Sequence, residues 1–312
     1  MFTLFKKRDF GDYVSDTFQF FRQTGKHYLK NYFTICGIFL MVLAIFTYFL
    51  FQVYFDFFLN VGRINNNLQF IQSYAENNGA IIIIGALLLF FFIVLLSMLT
   101  YSVPVIYMDL YEKNKGNNFE TKAILAEFKA HFGRILIFFL GLIFIITPLL
   151  ILVFVILILL CFIIVGIPLL LFAIPTAVSW VTLSFYEYLN RDKPFFKAFG
   201  SGFTHIRNQY FPNIGSLMVM YMIVQIAMSL FTMFPYMFGM ASIFTSTQNN
   251  SAPEDAFSTV KIMLTIVMVV SILMSYILNN LLLVNQGLVY YSRRENDENI
   301  SSKDSIDLIG SE

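Results

Sequence analysis

Five long stretches of this 312-residue chain contain no Asp, Glu, Lys or Arg. They cover residues 31–55, 77–108, 135–186, 208–253 and 262–292. A helix needs about 20 apolar residues to cross a hydrocarbon core of roughly 30 Å, so 135–186 has room for two spans and each other stretch for one. Only 12% of the residues are charged, against about 25% in soluble domains. The sequence therefore predicts an all-α polytopic membrane protein with six transmembrane helices.

The charged residues predict the orientation of these helices. We expect spans near 32–54, 80–106, 135–156, 159–183, 214–240 and 262–289. All but two of the 20 Lys and Arg residues lie in segments that this arrangement places on one side, and the exceptions are Arg63 and Lys261. Because cytoplasmic loops retain positive charge during insertion, both termini are predicted to be cytoplasmic in a bacterial inner membrane. The acidic segment 293–312 is expected to be a disordered cytoplasmic tail.

All three histidines of the chain stand ten residues before a glycine near the start of an apolar stretch. The pairs are His27 with Gly37, His131 with Gly141, and His205 with Gly215. A shift of 178 residues also aligns six identical residues of the first and third copies, whereas the middle copy keeps little beyond the pair itself. Such recurrence at long spacing predicts an internal repeat.

The repeat predicts a single membrane domain, 1–292, built from units 10–112, 119–190 and 194–292. Each unit is expected to contain an amphipathic helix at the membrane interface followed by a transmembrane hairpin. All three units would have the same topology, unlike the inverted repeats of many transporters. The expected architecture is therefore three parallel repeats about an axis near the membrane normal.

Each His and Gly pair is predicted to mark an elbow, where an interfacial helix turns into a span, with the three elbows at one depth. Two alternatives stay open. The glycines could instead allow close helix packing. The three histidines could also meet at one metal ion, because imidazole binds zinc, iron and copper. The aromatic residues beside the histidines favour rings packed at headgroup level, so we predict no metal and no cofactor.

Polar side chains inside the predicted spans are amides and hydroxyls rather than ionisable groups, and the amides of interest are Gln225, Asn279, Asn280, Asn285 and Gln286. Proton-driven pumps and antiporters place ionisable residues in the membrane, so this pattern argues against them. The amides are expected either to hydrogen-bond between helices or to line a cavity for a polar headgroup. The sequence contains no phosphate-binding loop, metal-ligand spacing or nucleophile elbow, so no catalytic residue is predicted.

The third unit carries a recognisable string. It reads Tyr186-Glu187-Tyr188-Leu189, then Lys193-Pro194-Phe195-Phe196-Lys197-Ala198-Phe199, then Gly202. This string resembles a diffuse superfamily of six-helix bacterial membrane domains, which includes the membrane domain attached to some glycerophosphodiester phosphodiesterases and related uncharacterised families. In those phosphodiesterases the hydrolase is a separate soluble domain. The resemblance therefore implies an accessory or scaffold part and not a catalyst.

These observations favour a noncatalytic inner-membrane protein that acts as scaffold or accessory subunit of a membrane complex. Its expected partners are the bilayer, anionic headgroups at the cytoplasmic face and another membrane protein, but not nucleic acid. One alternative is a permease or lipid-handling protein with a polar-lined path near Gln225 and Asn280. Another is a membrane-embedded metal oxygenase acting on a lipid or isoprenoid, which requires the three histidines to meet.

Overall fold

The computed structural model describes residues 2–63, 67–162, 164–248 and 253–300. Helices make up nearly all of these residues, and no strand occurs among them. The helices are α1 (Phe10–Arg63), α2 (Asn67–Lys113), α3 (Thr121–Ala130), α4 (Phe132–Gly141), a π-helical turn (Leu142–Ile146), α5 (Thr147–Cys161), α6 (Gly166–Asn190), α7 (Phe195–Asn208), α8 (Tyr210–Gln248) and α9 (Pro253–Glu298).

Six helical stretches in the described residues are long and apolar enough to cross a membrane, which confirms the predicted all-α, multi-pass class. These stretches are Phe10–Gln52, Ile83–Lys113, Phe132–Cys161, Gly166–Asn190, Tyr210–Ala241 and Val260–Glu298. Each includes most of one predicted span. The charge-free stretches therefore identify the spans, because charges are expensive in hydrocarbon and the chain keeps them at the helix ends.

The turn between the third and fourth spans lies further along the chain than predicted. The sequence analysis placed it near residues 157–158, but the helix continues to Cys161 and α6 begins at Gly166. A Cβ on Gly166 would lie 2.3 Å from the backbone N of Cys161 and 2.5 Å from the carbonyl O of Leu157. Only glycine permits this close approach. The turn therefore depends on Gly166 and not on polarity, since no polar residue marks it.

The described chain divides into two compact units. Unit 1 comprises Met1–Ile35, Met98–Val224 and Asn279–Glu312, and unit 2 comprises Cys36–Ser97 and Gln225–Leu278. This division does not follow the predicted repeat boundaries, because unit 1 takes residues from all three predicted repeats.

Unit 1 has an aromatic core. Seven tyrosines are among its fully buried large side chains, namely Tyr13, Tyr28, Tyr32, Tyr107, Tyr186, Tyr290 and Tyr291. The rings of Tyr28 and Tyr107 meet edge to face at 4.9 Å, and those of Tyr186 and Tyr290 stack at 5.0 Å. Buried aromatic pairs of this kind contribute about 0.5–1.5 kcal/mol each beyond their buried area. The core therefore joins α1, α2, α6 and α9.

The N-terminal segment before α1 is packed into unit 1. The backbone N–H of Phe2 donates to the hydroxyl of Tyr111 at 3.1 Å, and that of Arg8 donates to Ser292 at 3.0 Å. Phe2 and Leu4 are buried. The segment thus bridges the end of α2 and the end of α9.

Unit 2 contains the other halves of the long helices α1, α2, α8 and α9. Phe92 of α2 packs against Phe46 of α1, with ring centroids 5.8 Å apart. A Cβ on Gly239 of α8 would lie 2.1 Å from the sulfur of Met263 on α9. These close contacts hold the helix pairs of unit 2.

Two expectations about helix ends need correction. α1 runs without interruption from Phe10 to Arg63, so the first predicted unit has no separate interfacial helix. α9 continues to Glu298, which places residues 293–298 in a helix rather than in a disordered tail. Packing explains the second difference, because the side chains of Arg293 and Glu295 are buried within unit 1. Residues 301–312 lie outside the described residues.

Candidate functional sites

Asn285 and Gln286 of α9 lie at the centre of a buried polar network in unit 1. The Asn285 amide donates to the carbonyl of Tyr13 and to the hydroxyl of Thr17, both at 3.2 Å. The Gln286 carbonyl accepts from Ser179 at 2.6 Å. A buried polar group without a partner costs about 1–3 kcal/mol, so these bonds fix the relative positions of α1, α6 and α9.

α8 joins the same network through Asn213 and Ser216. The Gln286 amide donates to Asn213 at 3.3 Å, and the Asn213 amide donates to Ser179 at 3.1 Å. Ser216 donates to Asn285 at 3.5 Å. Two of the five predicted amides therefore serve as hydrogen-bond partners between four helices.

The other three predicted amides have different surroundings. Asn280 is buried in unit 1, and its carbonyl oxygen accepts from the Tyr28 hydroxyl at 2.6 Å. Asn279 hydrogen-bonds to the Tyr101 hydroxyl. Gln225 belongs to unit 2 and is exposed at the surface of α8. Asn280, Asn279 and Gln225 thus have three different surroundings.

Asn279 lines a small cavity among the spans of unit 1, with a volume of about 250 Å³. Tyr101 and Tyr221 bring hydroxyl groups to the wall, and the other lining residues are apolar: Leu171, Ile174, Pro175, Val178, Leu217, Met218, Met222 and Leu282. Apolar pockets with a few polar groups are the usual form of small-ligand sites. This cavity is a candidate site for part of an amphiphilic molecule.

The histidines have three different settings. His27 Nε2 lies 2.9 Å from the carbonyl of Phe119, and its Nδ1 lies 2.9 Å from the Tyr107 hydroxyl. A carbonyl only accepts, so Nε2 carries the hydrogen and Nδ1 accepts from tyrosine. His131, directly after α3, places its Nδ1 3.0 Å from the carbonyl of Glu127, four residues back in α3. His27 therefore connects α1 to α2 and to the linker that follows α2.

His205 contacts Glu187 instead, with 2.7 Å between Nε2 and the carboxylate. Among the described residues, no three His, Cys, Asp or Glu side chains cluster as a metal ion would require. The three histidines thus do not form the shared site on which the metal hypothesis depended.

The first of the three predicted elbows is wrong, whereas helix breaks do fall within the second and third His-to-Gly segments. α1 passes through His27 and Gly37 without a break. Helix breaks do occur at His131, between α3 and α4, and at Gln209, between α7 and α8. Each break precedes its glycine by several residues, so the helix ends at or shortly after the histidine and not at the glycine.

Two of the three predicted elbow glycines are close-packing positions. A Cβ on Gly141 would lie 2.6 Å from the ring of Phe195, and one on Gly215 would lie 3.1 Å from the ring of Phe10. No atom lies within 4 Å of the corresponding point at Gly37. The alternative that the glycines allow close packing therefore applies to Gly141 and Gly215, where an aromatic ring packs directly on the helix backbone.

A charged cluster at the ends of α6, α7 and α9 was missed by the sequence analysis. Glu187 is buried, with its side chain 1% exposed, and it accepts from His205 at 2.7 Å and pairs with Lys193 at 2.6 Å. Lys193 also donates to Ser201 at 2.8 Å. A buried carboxylate is tolerated when partners of this kind compensate its desolvation. The cluster therefore fixes α7 against the end of α6.

This cluster forms one wall of a groove of about 740 Å³ that runs along α7. Its cationic residues are Arg191, Lys193, Lys197 and Arg294, its acidic residues are Glu187, Asp297 and Glu298, and its hydroxyls are Ser201 and Thr204. From the sequence, Glu187 was predicted only to lie at the end of a span. Glu187 and His205 are 18 residues apart and lie in different helices, so no helical periodicity in the sequence indicates that they pair.

Comparison with protein-family models, with curated proteins and with solved structures finds no match to this chain.

Proposed function

We propose that this chain is a noncatalytic protein of the bacterial inner membrane that acts as scaffold or accessory subunit of a membrane complex. The observation that carries the proposal is α5, because none of its side chains is buried within the described structure. α5 forms the second half of the span Phe132–Cys161, and its exposed side chains are available to a neighbour, whereas α4 in the first half contributes buried side chains to the core. The polar network of unit 1 supports the same role, since it holds the adjoining helices in fixed positions.

Site-specific photo-crosslinking tests this role. A photoreactive residue at Leu152, which is 61% exposed on α5, is expected to give a discrete adduct with a second membrane protein in cells. The matched control is Phe91, which is 71% exposed on α2. The same partner should copurify with the unmodified protein in mild detergent. Adducts to lipid alone at both positions, with no copurifying protein, would contradict the scaffold proposal.

The proposal includes cytoplasmic termini, which the distribution of Lys and Arg supports. Asp192 has a side chain 74% exposed in the linker between α6 and α7. In a variant lacking Cys36 and Cys161, the substitution Asp192→Cys should react with a membrane-impermeant thiol reagent only after the inner membrane is opened. Labelling of intact spheroplasts from outside would reverse the orientation.

We also propose that the chain descends from three parallel repeats. The aligned residues of the first and third copies support this, and so do the helix breaks that precede α4 and α8. The uninterrupted α1 then represents a copy in which the interfacial helix and the span have merged.

A lipid-handling protein is the second candidate, and the cavity beside Asn279 favours it. A polar path predicts that Asn279→Cys reacts with a small aqueous thiol reagent. Asn280→Cys serves as the control, because Asn280 is buried against Tyr28 and should stay protected. If the cysteine at position 279 is as unreactive as that at 280, no aqueous path reaches the cavity.

A further inference from the structure

α7 has one apolar face and one polar face. Phe196 and Phe203 stand seven residues apart on the same side, and their side chains are 70% and 56% exposed. Lys197, Ser201 and Thr204 face the groove on the other side. An amphipathic helix with exposed phenyl rings lies in the membrane interface, with its rings at the boundary of the acyl chains. The groove therefore lies at the depth of the lipid headgroups.

A tryptophan supports this depth. The indole N–H of Trp180 on α6 donates to the carbonyl of Phe199 on α7 at 2.9 Å, and the two rings meet edge to face. Tryptophan is enriched at the membrane interface, where its ring is buried and its N–H stays near polar groups. α7 and the adjoining part of α6 thus share the interfacial layer.

The groove offers more hydrogen-bond donors than its own acidic residues use. Lys197 has no ion pair among the described residues. Arg191 and Arg294 both pair with one carboxylate, that of Glu298, although each guanidinium carries five N–H groups. The Nε atom of Arg294 is buried and has no acceptor in the described part of the chain.

We propose that this groove binds the phosphate of an anionic phospholipid in the leaflet on the side of the chain termini. Arg191 and Lys197 would hold the phosphate oxygens, since guanidinium groups match this geometry with paired hydrogen bonds. Ser201 and Thr204 would contact the headgroup, and Phe196 and Phe203 would lie among the acyl chains. Lipid binding in this groove does not require a partner protein, so this proposal does not depend on the scaffold role.

The single tryptophan provides the assay, because Trp180 touches α7 and no other Trp contributes. The protein is placed in phosphatidylcholine nanodiscs with increasing fractions of phosphatidylglycerol, and Trp180 fluorescence is recorded. We expect a saturable change, and native mass spectrometry should detect one retained phosphatidylglycerol per chain. Lys197→Gln is expected to weaken the affinity about five-fold, as for the loss of one membrane-surface cation.

The matched control is Arg207→Gln, which removes an exposed cation of the same helix that does not line the groove. It should leave the affinity nearly unchanged, and Lys197→Arg should restore it. Equal weakening by Lys197→Gln and Arg207→Gln would indicate diffuse attraction to the surface and overturn the site. A change that never saturates would also overturn it. Inorganic phosphate that reproduces the signal in pure phosphatidylcholine would reject a lipid as the ligand.

Discussion

Replacing Asp16 with alanine is expected to release the N-terminal segment, residues 2–9, from unit 1. Asp16 accepts a hydrogen bond from Nε of Arg8 at 2.8 Å, and the Arg8 side chain is completely buried. The remaining guanidinium N–H groups donate to the backbone carbonyls of Thr3, Leu4 and Lys6. Without Asp16, the guanidinium of Arg8 would lose its hydrogen-bonded carboxylate and would donate to backbone carbonyls.

The pKa of Arg8 indicates how the pair is balanced. Burial lowers the pKa of the guanidinium, although the hydrogen bond and the charge of Asp16 both act to raise it. A base whose pKa falls on folding binds its proton less tightly in the folded state than in the unfolded state. Its contribution to the free energy of unfolding therefore rises only as pH increases through the lowered pKa. That window lies between the lowered pKa of Arg8 and the ordinary pKa of arginine. Desolvation therefore changes the pKa of Arg8 more than the hydrogen bond and the charge of Asp16 do.

The magnitude follows from two competing responses. Breaking a buried ion pair by removing one partner costs about 3–5 kcal/mol. Releasing the segment avoids this cost but exposes Phe2 and Leu4, which are each 4% exposed and together contribute about 3–6 kcal/mol through burial. The two costs are similar. The segment of the Asp16→Ala variant should therefore open in a large fraction of molecules, while the helices stay folded.

Hydrogen exchange measured by mass spectrometry tests this expectation. Amides of residues 2–9 should exchange on the order of 10²–10⁴-fold faster in Asp16→Ala, which corresponds to the lost 3–5 kcal/mol. The control is Lys6→Gln, because Lys6 pairs with Asp16 from a side chain that is 45% exposed. Exposed pairs contribute about 0–1 kcal/mol, so this variant should exchange almost like the original protein.

A double variant decides whether the unpaired charge is the cause. Arg8→Met combined with Asp16→Leu replaces both charges with apolar side chains, and such replacements are often neutral or stabilising by about 1–4 kcal/mol. We expect slow exchange to return in residues 2–9. If the double variant exchanges as fast as Asp16→Ala alone, the explanation by an unpaired buried charge fails.

Two further predictions concern packing and the polar network, and thermal unfolding in detergent measures both. Gly202→Ala should destabilise by about 1–3 kcal/mol, because its Cβ would lie 2.9 Å from the backbone N of Ser184, whereas Gly200→Ala, with open space, should stabilise by up to about 1 kcal/mol. An equal effect of both alanines would refute the packing argument. Gln286→Leu should cost about 1–3 kcal/mol by removing the acceptor of Ser179, and an unchanged melting temperature would show that the network is not stabilising.

The spans could be predicted from the sequence because the cost of burying a charge in lipid acts on each residue separately. The turn between the third and fourth spans could not be predicted, since residues 149–165 offer no polar residue to mark an end. Its position depends on the approach of Gly166 to the backbone of Cys161, which is a contact between two helices. The same limit applies to α9, whose last turns are polar in sequence but are held by packing within unit 1.

The candidate site residues divide in the same way. Asn285 and Gln286 stand out in the sequence because amides are rare in an apolar stretch. Their partners Ser179 and Asn213 do not, because only the register of neighbouring helices brings them together. Arg8 was counted as one more positive charge at the membrane surface, yet it is buried beside Asp16. A charge count predicts a side of the membrane but not the burial of any one charge.

The three histidines show how far equal spacing determines equal structure. His27 and His205 both reach from one helix to the end of another, to Tyr107 in α2 and to Glu187 in α6. His131 instead contacts a carbonyl of α3, the helix that ends just before it. The sequence has the same asymmetry, since the first and third copies share six aligned residues and the middle copy little beyond the pair. Where the surrounding residues are retained, the histidine links two helices, and where they are lost, the spacing survives without the link.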